Sequence, residues 1–286
     1  VKLLVVLWAS LLFWASAFAG IRAGLQHYSP FHLAVLRFLV ASATLAIGAV
    51  IRGIHWPDRC DFPRLFLLGL LGIAVYHTAL NYGELTVTAG AASFIINIAP
   101  VLTALLSILL LHERSHPAGW IGFLISLGGV ILIARGEGGG LSFNKGGLYI
   151  LLSALCSAFY SVLQKPLLEK YNAFAVTCYS IWTGTLCLCV LLPGLPLEVH
   201  QAPRSATIAV IYLGIFPAAL SYFGWSYVLA RMPVSRASSF LYLIPVLSTV
   251  VGYVWLGEIP QKLSLLGGAM ALGGVLVVNL YERSIS

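Results

Sequence analysis

Charge is what this sequence is short of. Asp, Glu, Lys and Arg make up 9% of its 286 residues, whereas hydrophobic types make up 60%. A water-soluble globule of this length needs much more polar surface, so the composition excludes one and places the chain in a membrane. Acidic residues are the scarcest, 9 against 16 Lys and Arg, which leaves a net charge of +7. An excess of that sign can mean nucleic acid, but here the basic residues are scattered between apolar runs and make no basic face. They read as orientation signals. The five cysteines, Cys60, Cys156, Cys178, Cys187 and Cys189, are odd in number and lack metal-ligand spacing, so they read as apolar packing residues.

Chemistry-bearing motifs are scarce as well. No His-Glu-x-x-His zinc site is expected, and there is no Gly-x-Ser-x-Gly nucleophile, no carboxylate pair at mid-span and no phosphate-cradling loop, which argues against an intramembrane enzyme and against direct ATP drive. No cofactor and no metal are expected. A channel is disfavoured by the lack of a ring of like charges or a repeated filter sequence.

What is present is a series of apolar runs, at 3–21, 32–51, 65–82, 88–111, 117–134, 147–168, 174–192, 206–229, 235–256 and 262–281. Each is near the roughly 20 residues that cross a ~30 Å hydrocarbon core as a helix. The fold class expected is therefore an all-α integral membrane protein of ten transmembrane helices. The first run has the look of a cleavable signal sequence, but its Ser16-Ala17-Phe18 recurs as Ser157-Ala158-Phe159 in the sixth, which makes it part of the fold.

The second half repeats the first. A shift of 145 residues lays Pro100-Val101-Leu102 on Pro245-Val246-Leu247, Glu113 on Glu258, Gly122 on Gly267, and Leu127-Gly128-Gly129-Val130 on Leu272-Gly273-Gly274-Val275. Pro, Glu and paired Gly at one constant offset indicate an internal duplication, with a first five-helix repeat at 1–140 and a second at 146–286. Five is odd, so the second repeat enters the membrane inverted. With both termini in the cytoplasm, the loops divide their Lys and Arg ten inside to five outside, the bias that orients membrane proteins. Inverted repeats place a binding site near the midplane between them, the architecture of secondary transporters working by alternating access.

These residues resemble a known family. Trp14 and Phe18 in the first helix, Pro30 and Arg37 in the second, the Ala/Ser-rich entry to the fourth, Pro100, Glu113, the Gly-rich fifth helix and the second copy with Pro245 and Glu258 are similar to the EamA family of the drug/metabolite transporter superfamily. Length, helix number and the aromatic-rich first half look like the YddG-type amino-acid exporters. The resemblance implies a ten-helix carrier in a bacterial inner membrane that moves small metabolites outward, most of all neutral or aromatic amino acids. An exporter of drugs or other metabolites with the same fold is the alternative. One departure is Asn172-Ala173 where the first repeat has Ser29-Pro30, with no Arg matching Arg37.

Polar side chains in lipid turn away from the acyl chains. His77 and Asn81 recur at helical spacing in the third run with Tyr82 beside them, and Ser153, Ser157, Ser161 and Gln164 in the sixth with Tyr160. Single serines suit interhelical hydrogen bonds, whereas amides and an imidazole are expensive to hide and suggest a cavity. The substrate site expected from these faces has Trp14, Tyr82, Tyr160 and Trp225 as its wall and His77, Asn81, Ser157 and Gln164 as its polar groups, with Pro100 and Pro245 as mid-helix hinges. The Gly122-Ser126-Gly129 and Gly267-Ala271-Gly274 notches suit close packing within one chain, and a monomer in membrane lipid, without nucleic acid, is expected. Glu113 and Glu258, at helix ends, suit tethering of loops or neighbouring helix ends. Arg37 would snorkel towards the outer interface. Besides Arg37, His77 is the one ionisable group of acid, imidazole or amine type well inside a span, so passive, gradient-driven movement is the expectation.

Overall fold

An unpaired backbone N–H or C=O is too costly in hydrocarbon to leave exposed, and a helix pairs them all within one segment. Every described span of this chain is accordingly helical. The structure, a computed structural model, describes residues 2–54, 56–87, 92, 95–113, 116–136, 145–256 and 261–282. Its helices are α1 (Lys2–Leu25), α2 (Pro30–Arg52), α3 (Arg59–Gly83), α4 (Ala99–Leu111), α5 (Pro117–Gly136), α6 (Lys145–Lys170), α7 (Ala173–Leu191) and α8 (Arg204–Leu229). α9 runs as Val234–Ser239, a 3-10 turn Phe240–Tyr242 and Leu243–Leu256, and α10 is Lys262–Glu282. Among the described residues nine are long and apolar enough to cross a membrane, and Ala99–Leu111 is a shorter apolar helix. This is the expected all-α fold of two five-helix repeats, inverted because each repeat crosses an odd number of times. Leu109, Leu124, Leu276 and Leu280 are each more than half exposed, which suits acyl chains and would not suit water.

The chain divides into two compact units, one of Val1–Asn81 with Leu163–Ala230 and the other of Tyr82–Val162 with Arg231–Ser286. These units cut across the repeat boundary at 140/146. The first unit holds α1, α2, most of α3, the end of α6, α7 and α8; the second holds α4, α5, the start of α6, α9 and α10. The equivalent pairs α2/α7 and α3/α8 thus fall in the first unit and α4/α9 and α5/α10 in the second, while α6, the counterpart of α1, is divided between the two.

In the first unit, α3 lies on α7 at Gly69, where a methyl group would collide with the Ser180 carbonyl and the Gly184 backbone. Its repeat counterpart, Gly214, lets α8 onto α2 in the same way, against the Arg37 carbonyl and Val40. Arg37 is consequently buried, with 2% of its surface exposed, and its guanidinium lies 5.6 Å from the Phe38 ring centroid. It does not snorkel to the interface. Single serines and threonines link helices as expected: Ser42 Oγ lies 2.8 Å from Thr185 Oγ1, and Ser16 Oγ 2.7 Å from the Tyr212 hydroxyl. Ser29 and Asn172, the residues that depart between the repeats, both cap helices, accepting from the backbone N–H of His32 (3.3 Å) and Ala175 (2.8 Å).

In the second unit the two small-residue notches meet each other. Gly122 lies on the Gly274 carbonyl, Gly129 on Gly267 and Ala271, and Ser126 donates to the Ala271 carbonyl at 3.1 Å. The close packing expected of these glycines is therefore internal to the chain. Glu113 serves as the tether expected of it. Its Oε1 accepts from the Val234 N–H (2.8 Å) and its Oε2 from the Ser235 N–H (3.1 Å) and hydroxyl (3.0 Å), capping the start of α9. Glu258 lies outside the described residues.

The prolines differ from the mid-helix expectation. Pro100 is in the first turn of α4, and Pro245 is the third residue of Leu243–Leu256, just after the 3-10 turn. A missing N–H is tolerated at a helix start, where no intrahelical acceptor was waiting for it. The interruption in α9 is the turn before Pro245, not a kink around the ring.

Candidate functional site

The polar face of α3 meets the aromatic face of α8 inside the first unit. His77 Nε2 is 2.9 Å from the Tyr222 hydroxyl, which donates in turn to the Gly72 carbonyl at 3.3 Å. Aromatic rings surround this link. Phe38 and Tyr76 have ring centroids 4.5 and 4.6 Å from that of His77, and Trp14 lies 5.8 Å from Tyr222 and 5.6 Å from Trp225. Trp14 Nε1 donates to the Pro217 carbonyl at 3.0 Å.

Both carbonyls belong to π-turns, Leu70–Val75 in α3 and Gly214–Leu220 in α8. The turns overlap under the 145-residue shift, which lays Gly72 on Pro217. Pro217 has no N–H to give, and a widened turn frees carbonyls that side chains then take. One turn beyond His77, Asn81 Nδ2 donates to the Pro30 carbonyl at 2.9 Å. One turn beyond Tyr222, Ser226 donates to Gln164 Oε1 at 3.0 Å and accepts from Thr177 Oγ1 at 2.9 Å.

Each of the three polar residues therefore spends one end on the protein. The other ends, His77 Nδ1, Asn81 Oδ1 and Gln164 Nε2, have no hydrogen-bond partner among the described residues, although the side chains are only 3%, 1% and 0% exposed. A buried polar atom left unpaired costs about 1–3 kcal/mol, so His77 Nδ1 and Asn81 Oδ1, one turn apart on α3, and Gln164 Nε2, on α6, each offer a bond that a ligand can supply.

Of the residues expected at a site, Trp14, His77 and Trp225 gather around Tyr222, with Asn81 one turn beyond His77 on α3 and Gln164, on α6, bonded to Ser226 one turn beyond Tyr222 on α8. Tyr82, Ser157 and Tyr160 belong to the second unit. There Tyr82 is 39% exposed with its ring 5.8 Å from Tyr149, Tyr160 is buried and Ser157 half-buried. Tyr222 is absent from the site expected from the sequence, yet it is where these residues meet. Its signal was its place opposite His77 under the repeat shift, and Gly69 and Gly72 opposite Gly214 and Pro217 marked the π-turns in the same way.

The expectation of no zinc motif needs one correction. His112, Glu113 and His116 stand in the His-Glu-x-x-His spacing of zinc proteases, which needs both histidines on one continuous helix. Here His112 ends α4 with a left-handed φ of 54°, and the Glu113 carboxylate is committed to the α9 start. His116 accepts from the Ala118 N–H through Nδ1 and stacks on Tyr281. The spacing is a helix-end tether and not a metal site. In a second group, Asp58, Cys60 and Asp61, both carboxylates are committed to the Lys170 ammonium, 2.6 Å from Asp61 Oδ2.

The profile of the EamA-like transporter family matches residues 2–135 and again 144–280. The transporter YdfC of Bacillus subtilis is 45% identical over 93% of this chain and 87% of its own length. A "Probable terminal-alkyne amino-acid exporter" of Streptantibioticus cattleyicolor is 39% identical over 97% of this chain and 94% of its own. The inner membrane transporter YedA of Escherichia coli is 27% identical over 96% of this chain and 89% of its own. A crystal structure 23% identical in sequence superposes with a TM-score of 0.81, covering 100% of this chain and 99% of the other, and so has the same fold.

Proposed function

Because the chain belongs to the EamA-like transporter family and is a multi-pass membrane transporter, we propose that it exports neutral or aromatic amino acids across a bacterial inner membrane. The observation that carries this reading is the buried, open His77 Nδ1, on the imidazole bonded to Tyr222 within the Trp14 and Trp225 cluster, with the open Asn81 Oδ1 one turn further along α3. A zwitterion needs both donors and acceptors for its backbone groups and a tolerant apolar wall for its side chain. The relative named as an amino-acid exporter supports the same substrate class.

In this reading the carrier works as a monomer with both termini cytoplasmic. The duplicated segments 1–140 and 146–286 exchange inward- and outward-facing arrangements, and the solute moves down its own gradient. Since the polar groups address atoms common to all amino acids, discrimination among side chains is weak, one methylene in an apolar pocket being worth about 1–3 kcal/mol. The test is solute flux in proteoliposomes against a panel of amino acids, sugars and cationic drugs. Saturable flux confined to amino acids is the expected result, and flux of the drugs alone would replace this reading with drug export.

A further inference from the structure

The open atoms on α3 share a chemical sense. Tyr222 has one hydroxyl proton, and the Gly72 carbonyl, 3.3 Å away, can only accept it. In the tautomer in which that proton goes to the carbonyl, the phenol oxygen accepts from His77, 2.9 Å away, Nε2 is the N–H end of the imidazole and Nδ1 presents a lone pair; this is the tautomer on which the subsite depends. The Asn81 amide is oriented by the same logic. The Pro30 carbonyl requires a donor, Nδ2 supplies it at 2.9 Å, and Oδ1 is the open end. Neither Nδ1 nor Oδ1 has a hydrogen-bond partner among the described residues. The two side chains are four residues apart on one helix and therefore share a face. Together they present two buried acceptors one turn apart.

We propose that His77 Nδ1 and Asn81 Oδ1 form a subsite for the primary ammonium group of the transported solute. The assignment of that group as an α-ammonium rests on the amino-acid reading above; the acceptor geometry does not. An ammonium has three N–H donors and can reach both acceptors, and charge-assisted bonds of this kind are stronger than neutral ones. The Tyr76 and Phe38 rings flank the imidazole and leave the sense of Nδ1 unchanged. Arg37, 5.6 Å from the Phe38 ring centroid, is a cation in the same unit. It disfavours a bare monocation and is compatible with a zwitterion, whose carboxylate balances the charge.

The experiment uses the full chain in proteoliposomes and detergent, with three probes of one shape: L-phenylalanine, phenethylamine, which lacks the carboxylate, and 3-phenyllactate, which has a hydroxyl for the ammonium. Binding is read from thermal shift and from phenylalanine efflux with each probe as competitor. Phenyllactate should bind at least about tenfold more weakly than phenylalanine, the size of one lost charged hydrogen bond. Asn81→Leu and His77→Phe should weaken phenylalanine and phenethylamine by a similar factor and leave phenyllactate unchanged, while Asn81→Asp, which keeps an acceptor, should retain the ammonium preference. Unliganded melting temperatures identify any variant that fails to fold, and the wild-type probe series stands without the variants. Phenyllactate binding as well as phenylalanine would overturn the ammonium subsite and leave amino-acid transport standing. Asn81-dependent binding of phenethylamine without any of phenylalanine would do the reverse. Binding of neither amine would overturn both.

Discussion

His77 and Tyr222 stand 145 residues apart, hold the same position in the two repeats, and are joined by a 2.9 Å hydrogen bond. A residue that meets its own counterpart lies at the pseudo-two-fold axis relating inverted repeats, which is where such folds place their binding sites. The backbone follows the same symmetry. Gly72 and Pro217, also equivalent, offer the carbonyls that bind Tyr222 and Trp14. The side chains at the centre are therefore tied to the π-turns that shape α3 and α8.

Tyr222→Phe keeps the ring contacts and removes the hydroxyl, leaving His77 Nε2 buried without its acceptor. The expected cost is about 1–3 kcal/mol of stability. His77→Phe made together with it should cost less than the two single changes added, by about 0.5–3 kcal/mol of coupling. Denaturant titration of the four proteins in detergent checks this, and strict additivity would remove the energetic link between the two residues.

Glu113→Ala uncaps the start of α9 by leaving the Val234 and Ser235 N–H groups without their carboxylate. A loss of about 0.5–2 kcal/mol is expected, with Glu113→Gln in between because its amide oxygen still accepts. Flux per folded molecule should stay at the parent's level, which separates a tether from a substrate contact.

Glu198, in the short helix Leu195–Gln201, accepts from the Ser29 N–H at 2.9 Å and pairs with His32 at 2.8 Å, holding the start of α2. Burial pushes its carboxyl pKa up, but the Ser29 N–H and the His32 ring outweigh burial and hold it below the usual glutamate value. A lowered folded-state pKa stabilises above the unfolded value, near 4.3, and that stability is lost as pH falls through the folded one. The melting temperature of Glu198→Gln should therefore lie below the parent's at pH 7, and the gap should close as the pH is taken down through the acid range. A gap of constant size would assign it to packing alone.

Orientation is testable with single cysteines in a Cys-free background, at the exposed positions Arg59 and Gln201. With cytoplasmic termini, a membrane-impermeant maleimide added to intact cells should label Gln201→Cys and spare Arg59→Cys until the membrane is opened. The reverse pattern would invert the topology.

Much of the fold was legible along the chain because hydropathy is local. Whether a segment can sit in hydrocarbon depends on its own side chains, so the ten runs, the duplication and the odd helix number per repeat could be read in order. Glu113 was legible as a tether because a lone carboxylate at a helix end has few other uses. The prolines were less so. Pro100 looks the same in a sequence whether it stands inside a helix or in its first turn, and only the backbone of residues 97–99 distinguishes the two.

By itself the sequence determined the class of protein, the number of spans, the repeat and the residue types available for a site. Tertiary structure decided which of those residues meet. Side-chain direction around a helix is known from periodicity, but the partner it faces depends on how closely distant segments approach, and here glycines at 69 and 214 set that distance. That approach buried Arg37 and centred the aromatic cluster on Tyr222. Tyr82, Ser157 and Tyr160 fall in a different compact unit from His77 and Asn81, because the unit boundaries pass through α3 after Asn81 and through α6 after Val162.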